Sequence, residues 1–139
     1  MYLLDTDTIV FNLKGHVAVR KNLQHHIHDP MKMSVITLME LYYGAYKSQK
    51  VESNLAKIRY MENSMEIVPL GVESVEIFGI LKAKLERAGS RLDDFDLIIA
   101  SCALVHNMVL VTNNVSHFKR IEGLRIVNWT EYPEKGRTS

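Results

Sequence analysis

The acidic side chains of this 139-residue chain are concentrated at a few positions. Five of the six aspartates form two groups, Asp5 with Asp7 and Asp93 with Asp94 and Asp96. Asp5 and Glu40 each follow a short apolar run, and Asp96 lies inside one, where an unpaired carboxylate is costly. Converging carboxylates repel one another unless a hard cation neutralises them, and Mg²⁺ and Mn²⁺ prefer such oxygen ligands. The pattern therefore predicts metal-assisted phosphate chemistry at Asp5, Glu40 and Asp96.

Each acid also has a structural interpretation that stands beside the functional one. Asp5 is a suitable helix N-cap, and Asp93 and Asp94 suit a helix start, where the helix dipole favours negative charge. Glu40 lies three residues after Thr37, which is the spacing of a capping box. Helix capping is therefore the alternative that the structure must decide for each residue.

Short apolar runs alternate with helical patterns along the chain. The runs predict buried strands at residues 2–4, 33–36, 67–70, 108–111 and 124–127. The other segments predict helices at residues 6–15, 17–27, 37–48, 50–64, 73–88 and 94–106. This alternation indicates an α/β protein with a short central parallel sheet flanked by helices on both faces. Since the carboxyl ends of parallel strands share one edge, the three acids can meet there.

The composition is that of one ordinary globular domain, with 47% hydrophobic and 24% charged residues. We predict a single domain at residues 1–132 and a polar C-terminal tail at residues 133–139. The 17 basic residues balance 16 acidic ones, which gives a net charge of +1. Overall charge therefore offers no attraction to nucleic acid or an anionic membrane, and any nucleic-acid binding must use a local patch.

Further features indicate a cytoplasmic protein without a membrane segment. The N-terminal residues do not resemble a signal peptide, and no apolar stretch approaches the roughly 20 residues that span a bilayer. Cys102, the single cysteine, cannot form an internal disulfide and is expected to be a small core residue. The histidines at 25, 26 and 28 have no partnering ligand pair elsewhere, so a solvated helix end is favoured over a metal site.

Several blocks of the sequence are similar to a known family. They are YLLDT at 2–6, SVITLMEL at 34–41, YGA at 43–45, DLIIA at 96–100, VTNN at 111–114 and HF at 117–118. Their order and spacing resemble those of the PIN-domain ribonucleases, and within them the VapC toxins of bacterial toxin–antitoxin pairs. The resemblance extends over almost the whole chain and implies the PIN fold.

The resemblance also implies site residues and a cofactor. By position, Asp5, Glu40 and Asp96 would be the catalytic metal ligands for Mg²⁺, with Mn²⁺ as a substitute. Asn114 stands where many PIN domains have a fourth acid, and Asp7 stands where the family commonly has asparagine. Further candidates near the site are Asp94, Thr6, Thr112 and Asn113.

The activity implied by the resemblance is that of a Mg²⁺-dependent endoribonuclease toxin that cleaves RNA, with tRNA as a candidate substrate. The expected partner is a cognate VapB-type antitoxin, and the expected assembly is a homodimer or a toxin–antitoxin hetero-oligomer. Basic residues that could follow the RNA backbone are Lys14, Lys47, Lys82, Arg87 and Arg91.

Two other functions compete with this one. The sequence Asp5-Thr6-Asp7 after an apolar strand imitates the nucleophile and acid/base pair of haloacid-dehalogenase-like phosphatases, with Asp93 and Asp94 as metal acids. That hypothesis gives Glu40 no role. A PIN domain that binds RNA or protein without catalysis is the second alternative.

Overall fold

The computed structural model describes residues 1–133 and contains five strands and seven helices within them. The strands are β1 (Tyr2–Leu4), β2 (Met31–Ser34), β3 (Glu66–Val68), β4 (Val109–Val111) and β5 (Ile126–Val127). The helices are α1 (Thr6–Leu13), α2 (Val17–His25), α3 (Val35–Lys47), α4 (Val51–Ser64), α5 (Val72–Arg87), α6 (Asp94–Val105) and α7 (Val115–Phe118). The predicted tail at 133–139 lies, except for its first residue, outside the described residues.

The strands form one sheet in the order β3-β2-β1-β4-β5, and all of its pairings are parallel. After β1 the chain proceeds to β2 and β3 on one side, and then crosses to β4 and β5 on the other. The strand order therefore reverses between β1 and β4. In open α/β sheets, ligands bind outside the carboxyl ends of the strands at this reversal. Asp5 directly follows β1, and its backbone N–H donates to the carbonyl of Val111 at the end of β4 (3.0 Å).

Helices cover both faces of the sheet, as predicted. Successive strand residues point to opposite faces, so Leu3 of β1 joins one hydrophobic core while Leu4 joins the other. The core around Leu3 includes residues from α5 and α6, and the core around Leu4 includes residues from α1, α3 and α4. Both leucines are completely buried. Cys102 of α6 is also buried, in agreement with the prediction of a core residue.

The second strand differs from the prediction by two residues. The apolar run suggested a strand at 33–36 with Thr37 as the helix cap, whereas β2 ends at Ser34 and α3 begins at Val35. Ser34 is the true N-cap, because its Oγ accepts the backbone N–H of Thr37 (3.0 Å). Val35 and Ile36 are therefore helical despite their β-branched side chains, since capping and burial outweigh their modest local preference.

Other features also differ from the prediction, including the last strand, which was expected at 124–127 and is β5 at Ile126–Val127. The strand predicted at 67–70 is β3 at Glu66–Val68, which ends before Pro69 because proline has no N–H for the sheet. The short helix α7 was not predicted. Of the three histidines predicted at a solvated helix end, His25 and His28 are exposed at or after the end of α2, in agreement with the prediction. His26, the C-cap, is only partly exposed, because its ring stacks on Trp129 with an interplanar angle of 8° and its Nδ1 lies 2.8 Å from an Asp29 oxygen. Within residues 1–133, no helix is long and apolar enough to cross a membrane.

Candidate active site

Asp5 combines a capping role with a position at the reversal of strand order. Its Oδ1 accepts the backbone N–H of Thr8 (2.8 Å), so it is the N-cap of α1. Only 5% of the residue is exposed, and this burial raises the pKa of its carboxyl, although hydrogen bonding from Thr112 and Thr8 partly opposes the increase. The carboxylate has about four lone-pair positions, so capping does not prevent it from binding a cation.

Glu40 is not a capping-box residue, since Ser34 rather than Thr37 caps α3. Instead, Glu40 Oε1 accepts a short hydrogen bond from the hydroxyl of Thr6 (2.7 Å). Thr6 is the first residue of α1 and directly follows Asp5. The α1 start therefore orients Glu40 across the gap between α1 and α3.

A chain of hydroxyl groups lies behind this contact. Thr37 Oγ1 lies 3.2 Å from Thr6 Oγ1 and 3.4 Å from Ser34 Oγ, and both Ser34 and Thr37 are completely buried. Thr6 has one hydroxyl proton, and the charged carboxylate is the stronger acceptor, so this proton is donated to Glu40. Thr37 then donates to Thr6 and accepts from Ser34. The sequence interpretation assigned Thr37 only a capping role, and no local spacing indicates its contact with Thr6, which lies 31 positions away along the chain.

Asp96 lies in the first turn of α6 and has the most strongly perturbed carboxyl of the site. Burial is the main cause that raises its pKa to about 6. The negative charges of Asp93, Asp5 and Glu40 raise this pKa further, and the nearby His117 opposes them. The charges of Asp5 and Glu40 therefore both reach Asp96. The proximity of His117 was not predicted.

Two of the three remaining acids have structural partners. Asp93 caps α6 by accepting the backbone N–H of Phe95 (2.9 Å). Asp94 pairs with Lys82 of α5 (2.9 Å), so among this group Asp93 has the larger effect on Asp96. Asp7 is exposed in the first turn of α1, and its charge slightly raises the pKa of Asp5.

The segment after β4 completes this edge of the sheet with polar, uncharged groups. Thr112 is buried beside Asp5, and its Oγ1 accepts the backbone N–H of Asn114 (3.0 Å). Asn114 is the residue that precedes α7, and Asn113 is exposed. The segment after β4 therefore offers the hydroxyl of Thr112 and the amide of Asn114, where many PIN domains have a fourth carboxylate.

The chemistry of the donors fits a hard divalent cation. Carboxylate and hydroxyl oxygens predominate, and neither cysteine nor a histidine pair is present to favour a softer metal. Among residues 1–133, no three acidic, histidine or cysteine side chains already form a grouping that could hold an ion. Glu40 is instead bonded to Thr6.

Comparison with known proteins identifies the family. Residues 2–124 match the PIN domain. The chain belongs to the PIN-domain family. Within it, the chain belongs to the VapC ribonucleases: it is 37% identical over 131 residues to the tRNA(fMet)-specific endonuclease VapC of Salmonella typhimurium, an alignment that covers 92% of this chain and 97% of that protein. Ribonuclease VapC2 of Rickettsia felis is 36% identical over 131 residues, with coverage of 93% and 98%.

Solved structures of the same family share the fold. The crystal structure of VapBC2 from Rickettsia felis bound to a DNA fragment from their promoter contains a chain that matches this PIN domain with a TM-score of 0.87 and 35% identity. The match covers 92% of this chain and 98% of that chain. The DNA-bound VapBC from Salmonella typhimurium gives a TM-score of 0.86 and 36% identity, with coverage of 92% and 97%.

The comparisons confirm the resemblance and the fold class inferred from the sequence. They also exclude the haloacid-dehalogenase alternative, because the PIN domain accounts for most of the chain, including the Asp5-Thr6-Asp7 segment on which that hypothesis depended. Both relatives are named as ribonucleases or endonucleases, and the alignments cover nearly their full lengths. This favours an active enzyme over a PIN domain that binds RNA or protein without catalysis.

Proposed function

We propose that this PIN domain is a Mg²⁺-dependent endoribonuclease in which Asp5, Glu40 and Asp96 are the metal ligands, with Mn²⁺ able to replace Mg²⁺. The main support is the electrostatic interaction of these three acids at the reversal of strand order in a VapC-family chain. An acidic edge alone would repel RNA. A cation held there makes this edge able to bind the phosphate.

Hydrogen bonds within the protein orient the carboxylates of two proposed ligands. The Thr8 N–H fixes one oxygen of Asp5, and the Thr6 hydroxyl fixes one oxygen of Glu40. Asp96 is on a third element, so the proposed ligands come from the end of β1, the second turn of α3 and the first turn of α6. When bound, the ion supplies charge neutralisation at the attacked phosphate and lowers the pKa of water there, so hydrolysis needs no histidine base.

Asp96 couples cation binding to proton release. Its pKa of about 6 means that the carboxyl retains its proton in mildly acidic solution and loses it at neutral pH. A cation binds the ionised form, so metal affinity rises with pH through this range.

We propose RNA as the substrate and initiator tRNA as the first RNA to test, because the Salmonella relative is named a tRNA(fMet)-specific endonuclease. We further propose a cognate VapB-type antitoxin as the partner, in a homodimer or a toxin–antitoxin hetero-oligomer, since the matching structures are VapBC complexes. A cytoplasmic location follows from this substrate and this partner.

The test uses the purified chain with labelled initiator tRNA and an elongator tRNA. Cleavage should require Mg²⁺ or Mn²⁺, should stop with EDTA, and should be lost in Asp5→Asn and Asp96→Asn. Asparagine also caps helices well, so Asp5→Asn should remain folded. Glu122→Gln, which removes one exposed carboxylate far from the site, is the matched control and should cleave normally. Full activity of both aspartate variants, or cleavage in EDTA, would contradict the proposed site.

A further inference from the structure

His117 is a basic side chain that the fold brings to the acidic edge. It lies on the short helix α7, which begins three residues after Thr112, the buried neighbour of Asp5. The backbone N–H groups of His117 and Phe118 both donate to the carbonyl of Asn114 (3.1 and 3.2 Å). Since residues three apart lie on the same side of a helix, His117 stands one turn beyond Asn114 on the side that continues from the candidate active site.

Core packing fixes the position of α7 relative to α6. Phe118 is completely buried and belongs to the same hydrophobic core as Leu97 and Ala100 of α6. His117 directly precedes Phe118 and is exposed, and Asp96 directly precedes Leu97. The buried neighbours therefore hold the histidine at the surface beside the first turn of α6.

The charge of His117 reaches Asp96 without forming a direct ion pair with it. Three neighbouring carboxylates raise the pKa of Asp96, and His117 lowers it. Within residues 1–133, however, the imidazole lies more than 4.0 Å from every Asp and Glu carboxylate oxygen. An imidazole donates a hydrogen bond to an anion in either protonation state, and a phosphate offers several acceptor oxygens. A phosphate bound at this edge is therefore a suitable partner for His117.

The residues after α7 add positive charge to the same flank of the acidic edge. Lys119 and Arg120 directly follow this helix. Arg120 donates from Nη1 to Ser90 Oγ (2.9 Å) and to the carbonyl of Arg91 (3.2 Å), which are both uncharged acceptors. The charge of Arg120 is therefore not neutralised by these bonds, and it favours the approach of an anion from the α7 side.

We propose that His117 is a substrate-binding residue that donates a hydrogen bond to a phosphate oxygen of the RNA at the acidic edge. The inference rests on the proposed function, because the acids determine where that phosphate is held. The imidazole offsets part of the repulsion between the RNA and the three carboxylates. Asn114 supports this role: an acid at that position would lie one turn from His117 and compete with the RNA for its imidazole.

The first experiment measures RNA binding without cleavage. Fluorescein-labelled initiator tRNA is titrated with the full chain in Ca²⁺, which should not support cleavage, and fluorescence anisotropy gives Kd. His117→Ala should raise Kd about tenfold, the size expected for one hydrogen bond to a charged group. His117→Arg keeps a cation with hydrogen-bond donors and should bind within about threefold of the wild type. His106→Gln is the matched control, because His106 is exposed at the opposite end of α6 and should bind normally.

The second experiment separates contact with RNA from binding of the metal. In Mg²⁺, kcat/KM for tRNA cleavage should fall by about tenfold or more in His117→Ala and largely recover in His117→Arg. Calorimetry of the RNA-free protein should show no loss of Mn²⁺ affinity in His117→Ala, because this change removes a positive group from the neighbourhood of the proposed ligands. Thermal unfolding checks that every variant is folded.

The outcomes distinguish this proposal from the proposed function. If the wild type cleaves no RNA, the proposed function is wrong, and Kd in Ca²⁺ still tests His117; absence of binding as well contradicts both. Normal cleavage by the wild type, with Kd and kcat/KM unchanged in His117→Ala, contradicts only the phosphate contact.

Three other results would assign His117 a different role and overturn the proposal. Weaker Mn²⁺ binding in His117→Ala would make it a metal ligand. Equal losses in His117→Ala and His117→Arg would make its role structural. A change limited to inhibition by a VapB-type antitoxin would show that His117 contacts a protein partner instead of RNA.

Discussion

Replacement of Asp96 by asparagine should stabilise the protein in the absence of divalent metal. Burial and three neighbouring negative charges disfavour the ionised carboxylate of Asp96 in the folded state. In the unfolded chain these penalties disappear. The neutral amide removes the charge while preserving the shape of the side chain, so Asp96→Asn relieves a cost that the wild type bears at neutral pH.

The magnitude follows from the pKa. The interval between the ordinary value of 3.8 and a folded-state pKa of about 6 corresponds to about 3 kcal/mol. Because the side chain is only partly buried, solvent screening reduces this figure, and we expect about 1.5 kcal/mol. In a domain of this size, that free energy raises Tm by about 5 °C.

The stability difference between Asp96→Asn and the wild type should depend on pH. Since the folded-state pKa of Asp96 lies above the unfolded value, the folded state binds more protons between about pH 4 and pH 6. The wild type therefore loses free energy of unfolding as pH rises through this window. Asp96→Asn should be no more stable than the wild type below pH 4, and the difference should reach its full size above pH 6.

Urea unfolding in EDTA at pH values from 4 to 8 measures this difference. Glu122→Gln removes a carboxylate that is 88% exposed, and its stability should stay within about 0.5 kcal/mol of the wild type at every pH. Adding Mg²⁺ at ten times Kd should stabilise the wild type by about 1.4 kcal/mol and leave Asp96→Asn unchanged. A variant that is less stable than the wild type at pH 7.5 in EDTA would refute the electrostatic reasoning.

Three further outcomes test the roles of other groups. Ca²⁺ should bind but fail to support RNA cleavage, because it accepts longer and looser coordination than Mg²⁺ does; cleavage rates at matched ion saturation check this. Asp7→Asn should retain most ribonuclease activity at saturating Mg²⁺, since Asp7 is exposed and asparagine is common there in the family, whereas near-complete loss of kcat would reopen the question of its role. Thr37→Val should weaken Mn²⁺ binding by about tenfold in calorimetry, because it breaks the hydroxyl chain to Glu40, while Thr37→Ser should bind normally.

The strands and helices were largely predictable because this fold buries short apolar runs on both faces of its sheet. Tyr2–Leu4 is followed at once by polar residues, so the end of β1 was clear from the sequence. The β2–α3 boundary was less clear, because Val35 and Ile36 have strand-like side chains and the decisive signal was one serine hydroxyl. The short helix α7 has only four residues, too few for a periodic pattern.

The sequence pointed to the acids of the candidate site, but not to the hydroxyl groups that bond to them. Asp5 and Asp96 are conspicuous because carboxylates beside apolar runs are rare without a reason. The hydrogen bond from Thr6 to Glu40 joins residues 34 positions apart, and Thr37 reaches Thr6 across 31 positions. No local pattern contains such contacts, since they depend on how α1 and α3 pack.

Hydrogen bonds to the acids explain how the fold tolerates an edge where buried and neighbouring negative charges reduce its stability. Asp5 costs free energy through burial but returns part of it by capping α1. Glu40 accepts a hydrogen bond from Thr6, which offsets part of its repulsion by the other acids. Asp96 lacks a comparable donor among the described hydrogen bonds and has the pKa of about 6. The uncompensated charge is thus concentrated on Asp96, which is why removing that charge is expected to stabilise the fold.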